Sequence, residues 1–183
     1  MPTNNRRAVP PDFEEQVEHL RAKALQRIDG IPIAALIWGP SPTSGNAVGD
    51  VRVKLREELT NRGHLANFSE ELIDHSCGRS VMAQQAAQAE AHDIVFSIPD
   101  SPGSVAEIHD FARIPWLSHK IVTFLDHAWN DGYSNQSIIQ LQSTFTCQIH
   151  IYDSMNLPHC VVEKALDLVS RLQDLFYIAG RRY

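Results

Sequence analysis

No apolar run in this chain approaches the roughly 20 residues a helix needs to cross a bilayer. Residues 1–11 are polar and lack the apolar core of a signal peptide. The expectation is a cytoplasmic protein that does not enter membranes. Cysteine is scarce: Cys77, Cys147 and Cys160 include no Cys-x-x-Cys pair, which argues against a disulfide framework or a thiolate zinc site. They are expected to be ordinary buried thiols. The nine histidines are scattered, with no His-x-x-x-His or His-Glu-x-x-His pair, so neither a metal nor any other cofactor is expected. Positive charge is in deficit, with 16 Lys+Arg against 22 Asp+Glu, a net charge of −6. That balance gives no general attraction to nucleic acid or anionic lipid, and a small molecule is the expected partner. Repeats and low-complexity linkers are missing too. A chain of 183 residues with 43% apolar composition then reads as one core: an extended or disordered N-terminus over 1–11 and a single domain over 12–183.

Present instead is an alternation of short apolar runs with helical stretches. Phe13, Val17, Leu20, Ala24 and Ile28 recur at helical spacing, Asp12 and Glu15 resemble a capping box, and the pattern predicts an amphipathic helix over 12–29. Ile31–Trp38, His64–Phe68, Ile94–Ile98, Ile121–Leu125 and Cys147–Tyr152 are the strand candidates. Helices are predicted around Val48–Leu59, Val81–Ala91, from Pro102 onward, and over 157–179. The fold class is therefore α/β, a Rossmann-like five-stranded parallel sheet in the flavodoxin-like order 2-1-3-4-5 with helices on both faces. Residues 126–146 are the least regular. Trp129, Tyr133, Asn135 and Gln136, with a short helix at Ser137–Gln142, suggest a lid or an interface. The apolar faces of the first and last helices suggest a homo-oligomer or a partner protein.

In the 2-1-3-4-5 order the ligand crevice opens at the carboxyl ends of the first and third strands. Both loops there are distinctive. After the first strand come Gly39, Pro40 and Ser41 in a glycine- and hydroxyl-rich loop that is neither a Walker A nor a Gly-x-Gly-x-x-Gly sequence. After the third strand Asp100, Ser101, Pro102, Gly103 and Ser104 form a turn into a helix. Ser101 is a good N-cap, Pro102 a good first helical residue, and the Gly103 and Ser104 amides are expected to face an anion such as phosphate. Glu107 follows one turn on, and a helical side chain leans back toward the N-terminus, over that site. A carboxylate there can stabilise or trap the oxocarbenium-like sugar formed when an N-glycosidic bond breaks, with Asp100 or His109 assisting. After the second strand, Ser69 and Glu70 stand where an acid can hold ribose hydroxyls. Plainer readings stay open: a surface loop after the first strand, first-turn helix acids at Glu70, an exposed helix acid at Glu107.

The segment Ile37-Trp38-Gly39-Pro40 and the turn Asp100-Ser101-Pro102-Gly103-Ser104-Val105-Ala106-Glu107 resemble the nucleoside 2-deoxyribosyltransferase-like proteins and the related SLOG and TIR-like Rossmannoid families, over residues 31–125. That resemblance implies a nucleophilic glutamate at Glu107 after a glycine at Gly103, a nucleotide or nucleoside ligand, and a possible role as an effector in bacterial antiviral defence. The long loop after the first strand departs from the deoxyribosyltransferase pattern. So does the lack of a clear counterpart of the asparagine a neighbouring subunit contributes, with Asn130 and Asn135 the candidates. Base-releasing hydrolysis, NAD included among the substrates, therefore fits these residues better than base exchange. The alternative is a non-catalytic nucleotide-sensing module of the same fold that assembles with a partner.

Overall fold

Five short apolar runs lie side by side in the computed structural model, which describes residues 11–180 apart from 130–135, 137–138, 141 and 143–145. They are β1 (Ala34–Trp38), β2 (Leu65–Phe68), β3 (Ile94–Ser97), β4 (Ile121–Asp126) and β5 (Gln148–Tyr152), all parallel, in the order β2-β1-β3-β4-β5. The helices are α1 (Pro11–Asp29), α2 (Ala47–Asn61), α3 (Val81–Ala91), α4 (Pro102–Ala112), the one-turn α5 (Pro115–Ser118), and α6 (His159–Ala179). The expected Rossmann-like α/β sheet is thus present, with β1 at the point where the chain reverses its direction of winding.

Alternate residues of the central strands feed two layers, as the period of a strand requires. Ala35 and Ile37 of β1, Phe96 of β3 and Val122 and Phe124 of β4 pack against Val51, Leu55 and Leu59 of α2 and Val161, Ala165, Val169 and Phe176 of α6. Leu36, Trp38 and Val95 face the other way, onto Ala89 of α3, Phe111 and Ala112 of α4 and Leu117 of α5. Trp38 and Phe111 meet ring to ring at 4.8 Å. Both faces of β1 and β3 are covered, which explains why these strands read as continuous apolar runs rather than as alternation. At about 1.5–3 kcal/mol for each large apolar side chain removed from water, the stripe buried by α6 is a principal attachment of that layer.

The element ends differ from expectation by one to three residues, with visible causes. β1 begins at Ala34 rather than Ile31 because side chains claim the preceding amides: Ile33 N donates to His64 Nδ1 at 3.2 Å and Ala34 N to Asp93 Oδ2 at 2.7 Å. Asp12 lies inside the first turn of α1 and accepts from Gln16 Nε2, so it is not the cap the sequence suggested. Cys77 is exposed, contrary to expectation, on the loop between β2 and α3, where its thiol donates to Asp74 O; Cys147 is buried and Cys160 half-buried. Of the short helix expected at Ser137–Gln142, residues 139, 140 and 142 are described and are helical, whereas Asn130, Tyr133 and Asn135 lie outside the described residues. Among the described residues no helix is long and apolar enough to cross a membrane.

Candidate functional site

One side chain organises the carboxyl end of β1. Arg52, on α2, is fully buried, and its guanidinium donates to the carbonyls of Ile37 (2.9 Å), Gly39 (3.0 Å) and Pro40 and to Glu70 Oε2 (2.8 Å). It also stands over the Phe68 ring, 4.5 Å from the centroid. A planar fork of donors suits such a cluster of oxygens better than a point charge. Gly39 makes the arrangement possible: its φ is +148°, and a Cβ there would fall 2.7 Å from Ile98 O and 2.9 Å from Arg52 Cδ. Only glycine fits that close approach.

The loops after β1 and β3 are then tied together. Asn46 caps α2 by accepting from Gly49 N at 2.7 Å and donates its amide to Asp100 Oδ2 at 3.0 Å. At the start of α4, Ser101 and Ser104 form a capping box: Ser104 N donates to Ser101 Oγ at 3.3 Å, and Ser101 N to Ser104 Oγ at 3.1 Å. Of the two amides expected to face an anion there, that of Ser104 is spent on the cap, and both hydroxyls are spent with it. Gly103 occupies the first turn of α4, and Pro102 opens the helix.

After β2 the chain makes a 3-10 turn, Ser69–Leu72, in which Ser69 is a member rather than the cap. Its hydroxyl donates to Gln88 Oε1 at 2.7 Å. The next loop is pinned by Gln84 of α3, which accepts from Asp74 N and donates to Asp74 O and Arg79 O. Hydrogen bonds from Ser76 hold the Asp74 carboxyl below the usual carboxylate range.

These elements enclose a cavity of about 390 Å³ lined by Trp38, Gly39, Ser41, Ser69, Glu70, Ile73, Val81, Gln85 and Glu107. It lies at the switch point between β1 and β3, within the size range of small-molecule sites. Glu107 reaches its wall from the second turn of α4. Loss of surrounding water, and then the charge of Asp110, raises its carboxyl above the ordinary glutamate value of 4.5. Glu70 lines the same cavity from the turn after β2, with one oxygen on Arg52 and 46% of its side chain exposed.

No protein-family model matches this chain, and no curated protein is significantly similar to it. The functional reading therefore stands on the site itself.

Of the residues expected at the site, Gly39, Ser41, Ser69, Glu70 and Glu107 meet on one cavity wall. Pro40, Asp100, Ser101 and Ser104 are not on it. Their polar groups face inward instead, to Arg52, Asn46 and the α4 cap, and shape the loops from behind. His109, expected as an assistant, is also off the wall. The sequence reading missed Arg52 and Gln85, and both carried a signal. Val48, Arg52, Leu55 and Leu59 recur at helical spacing, so the arginine sits inside an apolar stripe, while Val81, Gln85 and Gln88 share a face of α3. Among the described residues, no group of three His, Cys, Asp or Glu side chains is placed to hold a metal ion.

Proposed function

We propose that the cavity binds a nucleotide or nucleoside and that the chain hydrolyses its N-glycosidic bond. The observation that carries this reading is that Glu107 and Glu70 line one cavity at the carboxyl end of β1, Glu70 from the turn after β2 and Glu107 from the helix that follows β3. Glu70, steadied by Arg52, has a carboxylate oxygen with no protein partner among the described residues, suited to accepting from ribose hydroxyls. Trp38, Ile73 and Val81 offer an apolar wall for the base. Glu107 then stands near the anomeric carbon. As the C1′–N bond breaks, its electron pair leaves with the base nitrogen and positive charge develops on the sugar; a neutral nucleobase takes up a proton as it leaves, whereas the cationic nicotinamide of NAD needs none. The ionised Glu107 stabilises that charge or bonds to C1′ until water replaces it and gives up a proton. Because Glu107 must be ionised, and its carboxyl is raised, base release falls on the acid side at a pH above that of an ordinary glutamate.

The test is incubation of the purified chain and its Glu107→Gln variant with nucleosides, nucleotides, cyclic dinucleotides and NAD, following free base and bound ligand by chromatography and mass spectrometry. Release by the parent, reduced at least about 100-fold in the variant, is the expected result and names the substrate. Intact ligand retained by both proteins replaces catalysis with nucleotide sensing. Neither release nor retention sinks both readings.

A further inference from the structure

α1 stands almost alone. It is 19 residues long, none of its side chains belongs to the hydrophobic core, and it is fastened at its C-terminal end, where Gln173 of α6 donates to Asp29 O and Ile31 O. Yet Phe13, Val17 and Leu20 are 52%, 47% and 64% exposed, and with Ala24 they follow a four-three-four spacing. That is the a/d seam of a coiled coil, with Phe13 and Leu20 at d and Val17 and Ala24 at a. Helices of this length gain little stability in water without an apolar face to bury.

Charge along α1 says what covers it. The first half carries Asp12, Glu14, Glu15 and Glu18, and the second half Arg21, Lys23 and Arg27, with a lone acid, Asp29, as the last residue. We propose that a second copy of this chain pairs with α1 in antiparallel register. Phe13 then faces the partner's Ala24, large against small, and Val17 faces the partner's Leu20. Glu14 comes beside the partner's Arg21, and Gln16 beside the partner's Lys23, at the positions flanking the seam that set orientation. A parallel pair instead sets acidic half against acidic half and basic against basic. Arg21 now holds Glu18 at 3.3 Å, but both are more than two-thirds exposed, and such a surface pair yields readily to a competing partner.

The test is sedimentation equilibrium of the full chain at micromolar concentration. The expected mass is twice the 20.6 kDa of one chain, falling to one chain in Leu20→Glu. Glu14→Arg alone weakens the dimer at least tenfold, and Glu14→Arg with Arg21→Glu restores it, a rescue that parallel pairing does not give. Thermal unfolding of Leu20→Glu, which touches no core residue, keeps a cooperative transition and separates lost pairing from lost folding. A parent chain that stays monomeric, leaving the stripe to some other protein, overturns the proposal. So does a dimer that survives Leu20→Glu, or one that the paired charge swap fails to restore.

Discussion

At the amino end of the sheet the polar side chains are matched one to one. His64 accepts from Ile33 N, Asp93 from Ala34 N, and Lys120 donates to the carbonyls of Glu90 and His92; His92 bonds Asn67 and Gln88 O. At the carboxyl end the matching is incomplete. Arg52 satisfies four oxygens but leaves its Nε without a partner, and the buried Trp38 Nε1 and Gln88 Nε2 have none either. Glu70 and Glu107 stand on the cavity wall. Unmatched buried donors cost stability. Thr123 Oγ1 and His150 Nε2, in the middle of β4 and β5, also lack partners; what sets the carboxyl end apart is that Glu70 and Glu107 line one cavity there, beside the oxygens that Arg52 gathers.

The largest test of that contrast is Arg52→Met against Lys120→Ala. Removing the guanidinium strands three carbonyls and leaves Glu70 without its cation. Because Glu70 is nearly half exposed, most of the loss comes from the buried carbonyls. Urea unfolding of Arg52→Met is expected to show a loss of about 3 kcal/mol. Lys120→Ala, which removes a cation from the carbonyl end of α3, is expected to cost about 0.5–1 kcal/mol. Equal losses would break the contrast.

A smaller effect sharpens it. Asn46→Ala removes a helix cap and is expected to cost about 1–2 kcal/mol; Asp100→Ala, about 0.5–1 kcal/mol. If Asn46–Asp100 joins the two loops as one unit, a double-mutant cycle returns a coupling of about 0.5–1 kcal/mol. In ligand binding, both single variants should weaken affinity although neither residue lines the cavity. Strictly additive stabilities would show that the loops are held independently.

The same contrast explains what was legible in the sequence. Strand order and layers follow from apolar periodicity, a property of many residues at once, so β1 and β3 were readable to within a few positions. Glu107 was readable because Ser101 and Pro102 fix where α4 begins, and so where its second turn points. Arg52 was not recognised, since charge alone suggests a solvated face, and only its place between Val48 and Leu55 tells that it turns inward. The Ser104 amide was misjudged for a related reason: a sequence shows that a serine can cap a helix, but not that Ser101 and Ser104 cap each other.

The smallest effect belongs to the amino end. His64 is buried, and burial, then the Arg62 charge, lowers its pKa below the ordinary 6.5. The folded chain therefore resists a proton that the unfolded chain accepts. His64 contributes fully to stability above pH 6.5, and the contribution is lost as pH falls below 6.5 toward its lowered folded value. Protonation of the ring at Nδ1 would also take away the acceptor that Ile33 N uses. His150, lowered by burial and then by Lys164 and Arg171, adds a slope of the same sign, so removing His64 alone flattens the profile only in part. His64→Gln keeps an acceptor for the Ile33 amide without the titrating ring. Thermal midpoints of parent and variant between pH 7.5 and about 5.5 should diverge, with the parent losing more. Parallel curves would mean that His64 accepts its proton as readily folded as unfolded, and that the amino end is less tightly closed than its hydrogen bonds suggest.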